Sequence, residues 1–224
     1  MAAYYADKLA AERLKRVYEI APPGVRRYLD AEVHHVASKI GPSDAVLELG
    51  CGYGRVLHAL GRSARMVIGI DTSLPSLRLA AGELRGQPNV RLLAMDAVAL
   101  AFRNNVFDVV ACIQNGISAF GVDRRALVAE AVRVTRPGGI ALFSSYAPAI
   151  WPERLRWFEL QAAEGLIGAI DRSRTGGGVI VCRDGFKAGT VGPDEFCDIA
   201  ASLGVTATIE EVDASSVFCG YMVP

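Results

Sequence analysis

The sequence predicts an α/β protein: a doubly wound, mostly parallel seven-stranded sheet, an antiparallel C-terminal hairpin at its edge, and helices on both faces. Three observations carry this. Five short apolar runs alternate with helical segments between residues 45 and 146, as expected of strands buried on both faces. A glycine-rich turn follows the first run. The last two strand-like runs are separated by a short turn around Asp213, which suits a hairpin.

The elements follow in order. Residues 2–20 place Leu9, Leu14, Val17 and Ile20 near one face among Lys8, Glu12, Arg13, Lys15 and Arg16, the pattern of an amphipathic helix. Pro22-Pro23-Gly24 stops it. A second helix covers 25–40 and ends at Gly41-Pro42. Strand 45–49, AVLEL, leads through the glycine turn into helix 54–60, with Gly61 as its stop. Strand 66–71 follows. Helix 73–84 carries Pro75 in its first turn, where proline is tolerated. Strand 90–96 ends at Asp96, and strand 107–113 precedes a helix that Asp123 caps and that ends near Thr135. Pro137-Gly138-Gly139 turns the chain into strand 140–146. Beyond it, residues 148–169 read as a helix with an aromatic start (Trp151, Trp157, Phe158). A turn at Gly176-Gly177-Gly178, the run VIVCRDGF, a helix near 193–203, and the runs ATIEEV and SVFCGYMV complete the chain.

With 224 residues, 51% of them hydrophobic, the chain suits one domain with one sizeable core. That domain divides into an N-terminal helical lid or cap (1–41), a ligand-binding core (42–147) and a substrate-side helix with the terminal strands (148–224). Acidic and basic side chains balance at zero formal charge, so no nucleic-acid partner is expected. The arginine pairs Arg26-Arg27 and Arg124-Arg125 read as solvated helix faces. Five cysteines, Cys51, Cys112, Cys182, Cys197 and Cys219, show neither CxxC spacing nor a His–Cys cluster, so no metal site is expected. The charged N-terminus lacks a signal-peptide core, and no apolar run approaches the roughly 20 residues of a membrane span. A cytoplasmic protein without a membrane partner is expected.

The sharpest motif is ELGCGYG, residues 48–54. Glycines at 50, 52 and 54 sit between a strand and a helix, where bare backbone permits a tight turn and close ligand approach. A dinucleotide loop of the GxGxxG kind would bind pyrophosphate here. This loop departs from that pattern, because its third glycine comes one residue early and Glu48 precedes the first by two. A carboxylate there repels pyrophosphate and suits a cationic ammonium group. Asp71 lies about 20 residues on, at a strand's C-terminal end, where it can accept hydrogen bonds from a 2′,3′-diol.

These residues carry a resemblance. Over 46–146 the chain resembles the class I S-adenosylmethionine (SAM)-dependent methyltransferases of the small-molecule type, with a Rossmann-like fold. VLELGCGYGR is similar to their first motif. Asp71 matches the acidic residue that grips the ribose hydroxyls, and MDA (95–97) matches the motif whose acidic residue contacts the adenine amino group. FDVVACIQNGISAF matches the fourth strand and the loop beside the transferring methyl, and RVTRPGGIALF the helix–PGG–strand element after it. The resemblance implies S-adenosyl-L-methionine as cofactor. It implies contacts from Glu48, Gly50, Cys51, Gly52 and Gly54, from Asp71 with Thr72, from Asp96 with Ala97, and from Gln114. It implies methyl transfer to a small-molecule acceptor whose nucleophilic atom is unassigned. A non-catalytic SAM-binding protein, a sensor or assembly partner, would carry the same loop.

Gln114 and Asn115 stand where base-methylating members carry [D/N]PP[Y/F]. The sequence QNGI argues against base methylation and leaves two amides that can orient a small polar substrate or the methionyl group. On the acceptor side they are joined by Tyr146, which with Trp151 and Trp157 follows the fifth strand, and by Tyr5 and Tyr18 of the N-terminal helix. Tyr4 and Tyr5 open that helix, which is expected to cover the site as a lid. His34, His35 and His58 read as surface or packing residues, Cys51 as a small-residue fit and Cys112 as core.

Overall fold

The computed structural model describes residue 4 and residues 8–224. Seven strands form one sheet: β1 (Ala45–Leu49), β2 (Met66–Asp71), β3 (Val90–Ala94), β4 (Phe107–Cys112), β5 (Thr135–Tyr146), β8 (Thr206–Val212) and β9 (Ser216–Met222). Their order is β3-β2-β1-β4-β5-β9-β8. The first five pair in parallel, while β9 runs antiparallel to both β5 and β8. The expected edge hairpin is present; Asp213 and Ala214 make its turn with positive φ (53° and 50°). A separate short hairpin joins β6 (Ile180–Val181) to β7 (Lys187–Ala188).

Two apolar layers explain why this sheet forms. One packs around Leu47, Val110, Phe143 and Tyr221 with Leu127 and Phe196, and the other around Val46, Val67 and Val109 with Val36 and Leu57. Strand side chains alternate between faces, so neighbouring residues such as Val46 and Leu47 feed opposite layers. Helices α3 (Arg55–Leu60), α4 (Leu74–Glu83), α5 (Gly116–Ala119), α6 (Arg124–Val134) and α8 (Pro193–Leu203) surround them. Side-chain caps set the starts of two of them. The Asp123 carboxylate accepts from Arg125 and Ala126 N–H ahead of α6, and Ser73 Oγ accepts from Ser76 N–H at α4.

A third apolar cluster lies over the C-terminal ends of the parallel strands. Helices α1 (Glu12–Glu19), α2 (Pro23–Ser38) and α7 (Trp151–Ala163) build it from Val17, Leu29, Trp157 and Phe158, with Tyr146 from the end of β5. The buried residues of α7 are Arg154, Trp157, Phe158 and Gln161, spaced i, i+3, i+4, i+7, and Trp157 and Phe158 belong to this cluster.

The structure corrects three expected boundaries. The single N-terminal helix of 2–20 does not run through: α1 starts at Glu12, because Ala11 takes φ 51° and ψ −121°, which no right-handed helix contains. Ala11 N–H donates instead to Ser76 Oγ (2.9 Å), tying the start of α1 to α4. The 148–169 helix is a 3₁₀ turn (Pro148–Ile150) followed by α7, which ends at Ala163 before Gly165 with φ 66°. Strand β5 begins at Thr135, with a register break opposite Phe107–Val109 that absorbs Pro137-Gly138-Gly139. Among the described residues, no helix is long and apolar enough to cross a membrane.

Candidate functional site

A cavity of about 210 Å³ opens at the C-terminal ends of β1, β2 and β4. This is the edge at which open α/β sheets bind ligands. Glu48, Gly50, Cys51, Gly52, Asp71, Thr72, Asp96, Ala97 and Gln114 all line it, as do Tyr18 and Tyr146. Gly54, Asn115 and Trp151 are not among the lining residues, and Tyr5 lies outside the described residues.

The glycine turn is built on β2. Gly50 and Cys51 N–H both donate to Ile70 carbonyl oxygen at 2.9 Å, and Gly52 N–H donates to Asp71 Oδ2 at 2.9 Å. Gly50, Gly52 and Gly54 have φ of 74°, 53° and 87°, values that glycine adopts without penalty. At Gly50 a Cβ would come within 2.3 Å of the Phe120 ring, itself a cavity wall. Gly54 serves packing instead. A Cβ there would meet Leu84 and Ala80, so its bare backbone lets α3 approach α4.

Glu48 is 4% exposed and its Oε2 has no hydrogen-bond partner among the described residues. Burial pushes its carboxyl up to about 8, against the opposing pull of nearby Arg55. Asp71 is different. Burial raises its pKa too, but N–H groups of Ser73 and Gly52 stabilise the anion. Ser73 N–H donates to Oδ1 at 2.7 Å. A carboxylate has about four lone-pair positions, so Asp71 holds the loop and keeps acceptor capacity toward the cavity. Asp96 is exposed and accepts from Val98 N–H at 3.1 Å. Cys51 is buried and its thiol is pushed up by desolvation, so it stays protonated.

Past β4 the backbone is strained. Gln114 and Asn115 have φ of 56° and 61°; the left-handed region is tolerable for asparagine and costly for glutamine. Buried groups hold them there. Gln114 N–H donates to Glu32 Oε2 (2.6 Å) and Ser144 Oγ (2.9 Å). Asn115 Oδ1 accepts from the Ser145 hydroxyl (2.8 Å), and its amide donates to Gly189 carbonyl (3.1 Å). The Asn115 side chain is thus spent on structure. Gln114 remains on the cavity wall with its Nε2 buried and without a partner among the described residues.

Tyr18 of α1 and Trp157 of α7 meet at 6.0 Å between ring centroids, and Trp157 Nε1–H donates to Val17 carbonyl (2.8 Å). Arg13 reaches Gly165 and Leu166 carbonyls, Arg16 pairs with Glu164, and Lys15 with Glu83. Helix α1 therefore lines the cavity with Leu14, Val17 and Tyr18 and is joined to its neighbours by these hydrogen bonds and by solvent-exposed ion pairs, which are weak individually. Tyr4 O–H donates to Asp184 (2.6 Å), away from the cavity wall. Tyr146 is buried and its phenol pushed up to about 12 by desolvation.

Sequence reasoning missed Arg55, Phe120, Glu32 and Gln161. Arg55 and Phe120 follow motifs directly and needed geometry to be recognised. Glu32 and Gln161 left a signal: each is a polar residue on the buried face of its helix, and buried polar side chains demand a partner. His35, read as packing, lies 4.3 Å from the Phe218 ring. Among the described residues no His, Cys, Asp and Glu cluster suits a metal ion.

Comparison with known proteins agrees with this geometry. Residues 46–139 match the model of a methyltransferase domain. The demethylmenaquinone methyltransferase of Corynebacterium kroppenstedtii is 36% identical over 111 residues, 50% of this chain and 45% of the relative. That of Mycolicibacterium paratuberculosis is 34% identical over 134 residues, 58% and 55% respectively. The chain thus spans about half the length of the curated relatives it matches. Among solved structures, the DhpI–SAH complex matches with TM-score 0.67 and 17% identity over 99% of this chain and 94% of the other. The N-methyltransferase NodS of Bradyrhizobium japonicum, with S-adenosyl-L-homocysteine (SAH), matches with TM-score 0.61 and 16% identity over 97% and 95%. Residues 46–139, which carry the glycine turn after β1 and the acidic end of β2, thus match a methyltransferase-domain model, and the whole chain shares its fold with solved SAM-dependent methyltransferases.

Proposed function

We propose that the cavity binds SAM and that the protein transfers its methyl group to a small-molecule acceptor, releasing SAH. The observation that supports this most is Glu48: a buried carboxyl on the cavity wall, with an oxygen unpartnered among the described residues, can ionise there when a cationic group faces it, and the methionyl ammonium supplies one. Asp71, at the end of β2, has lone pairs left for the ribose hydroxyls. Asp96 and Ala97, which line the cavity after β3, are assigned to the adenine.

Bound SAM brings an activated methyl on a sulfonium, so the transfer needs alignment and dry surroundings more than an acid or a metal. The chain provides these. Gln114, whose backbone is fixed at a strained turn by Glu32 and Ser144, lines the cavity with its side chain. Helix α1 and the aromatic face of α7 exclude water above it. Helix α1 is the lid: acceptor entry requires its surface ion pairs to Glu164 and Glu83 to open. The test is a small-molecule screen read by SAH release. Turnover with any acceptor supports the reading; SAM binding without SAH release across a broad acceptor set contradicts it.

A further inference from the structure

Resting on the assignment of Glu48 and Asp71 to SAM, we infer that the acceptor is a flat, apolar, oxygen-bearing ring of the phenol type, uncharged or anionic, and that Gln161 reads its oxygen. The cavity has an apolar side. Leu29, Tyr146, Trp157 and Phe158 line it together with Gln161, and Tyr18, whose ring lies 5.9 Å from that of Tyr53 in the glycine turn, joins them. Apart from Tyr18 these are buried, and none is charged. Such a slot favours a planar hydrocarbon body.

Charge is set against an amine. Aromatic faces attract cations, but here guanidinium groups already lie over them. Arg154 Cζ is 4.1 Å from the Tyr146 centroid and 5.6 Å from that of Phe158, and Arg55 Cζ is 4.9 Å from that of Tyr18. A second cation in the slot would face these two positive charges in a dry site. Of the buried carboxyls, Glu48 lines the cavity but is assigned to the ammonium of SAM, and Glu32 is not on the wall; its oxygens accept from Gln114 N–H and the Ser216 hydroxyl.

Gln161 supplies the specific contact. It is 2% exposed, lines the slot, and its Nε2 has no partner among the described residues. The neighbouring indole N–H of Trp157 is already spent on Val17. A buried amide donor without an acceptor is costly, and an oxygen on the incoming ring satisfies it. An ammonium group, with no acceptor to offer, does not.

The experiment uses the full chain saturated with SAH at pH 7, titrated by calorimetry with 1-naphthol, 1-naphthylmethylamine and 1-methylnaphthalene. First, SAH itself must bind; if it does not, the SAM reading falls and takes this inference with it. With SAH bound, 1-naphthol is expected to bind at least about tenfold more tightly than the amine. Gln161→Met, which keeps the volume, is expected to weaken 1-naphthol about tenfold while leaving SAH and 1-methylnaphthalene within about twofold, which a merely structural role would not produce. Amine binding equal to or tighter than naphthol overturns the charge argument in the unaltered protein. Undiminished naphthol binding by the Met variant overturns the role of Gln161. Failure of all three probes on the SAH complex overturns the acceptor class.

Discussion

Replacing Glu48 by glutamine tests the cationic end of the ligand, and its effect depends on pH. In the free protein the buried carboxyl sits at about 8, so at pH 6 it is neutral. Pairing with an ammonium requires it to ionise, which costs about 1.4 kcal/mol per pH unit below its pKa, or about 2.7 kcal/mol at pH 6. A hydrogen bond to a charged group contributes about 1.5–3 kcal/mol. At pH 6 the two nearly cancel, and at pH 7 a net ~0.1–1.6 kcal/mol remains. That pairing lowers the carboxyl to about 6–7 in the complex, so wild-type affinity for SAH should rise about two- to sixfold from pH 6 to pH 7, with about half a proton or more released on binding at pH 7. Glu48→Gln keeps the shape of the neutral form and should bind SAH with little dependence on pH. Calorimetry in two buffers of different ionisation enthalpy reads both quantities. A flat wild-type profile without proton release, or an unchanged slope in the variant, refutes the assignment.

Asp71→Ala should weaken SAH binding at least about tenfold, the low end of a charged hydrogen bond, and lower Tm as well, because Gly52 and Ser73 N–H lose their acceptor; unchanged affinity by calorimetry rejects the role. Glu32 and Glu48 are both raised by burial from 4.5, to about 7 and about 8, so the folded protein binds more protons than the unfolded chain between pH 4.5 and 8. Their contribution to stability is present below 4.5 and is lost as pH climbs through 7 and 8. Urea unfolding of the ligand-free protein should show that decline relative to a Glu32→Gln, Glu48→Gln double variant, and parallel profiles would contradict it. Deleting the residues before Leu9 removes the Tyr4–Asp184 tether. SAH binding should survive and methyl transfer fall at least about tenfold, or about 1.4 kcal/mol in the barrier; full turnover would make the N-terminal segment structural only.

What the sequence made legible follows from which physics is local. The strands of the parallel sheet are buried on both faces, so runs such as AVLEL announce themselves, and capping residues such as Asp123 and Ser73 mark helix starts one by one. The glycine turn and Asp71 were readable because turn geometry and strand-end position are themselves short-range. The break at Ala11 was not, since the helical pattern of Leu14 and Val17 extends back to Leu9 and only the tertiary bond to Ser76 shows why the chain bends. Asn115 looked like a site residue by position, yet its partners Ser145 and Gly189 are 30 and 74 residues away. Glu32 and Gln161 were hidden for the same reason, as each meets the site from a helix outside the motif-bearing segment.

Occupation of the glycine turn by SAH is the central claim, and calorimetry on the unaltered chain beside Gly50→Val measures it directly. The expected result is one SAH per chain for the unaltered protein, no binding of NADH, and loss of SAH binding in a variant that still folds by circular dichroism. The loss follows because the added side chain would stand within 2.3 Å of Phe120 at a φ of +74°. SAH binding to Gly50→Val at the unaltered affinity, or NADH binding in place of SAH, would contradict it.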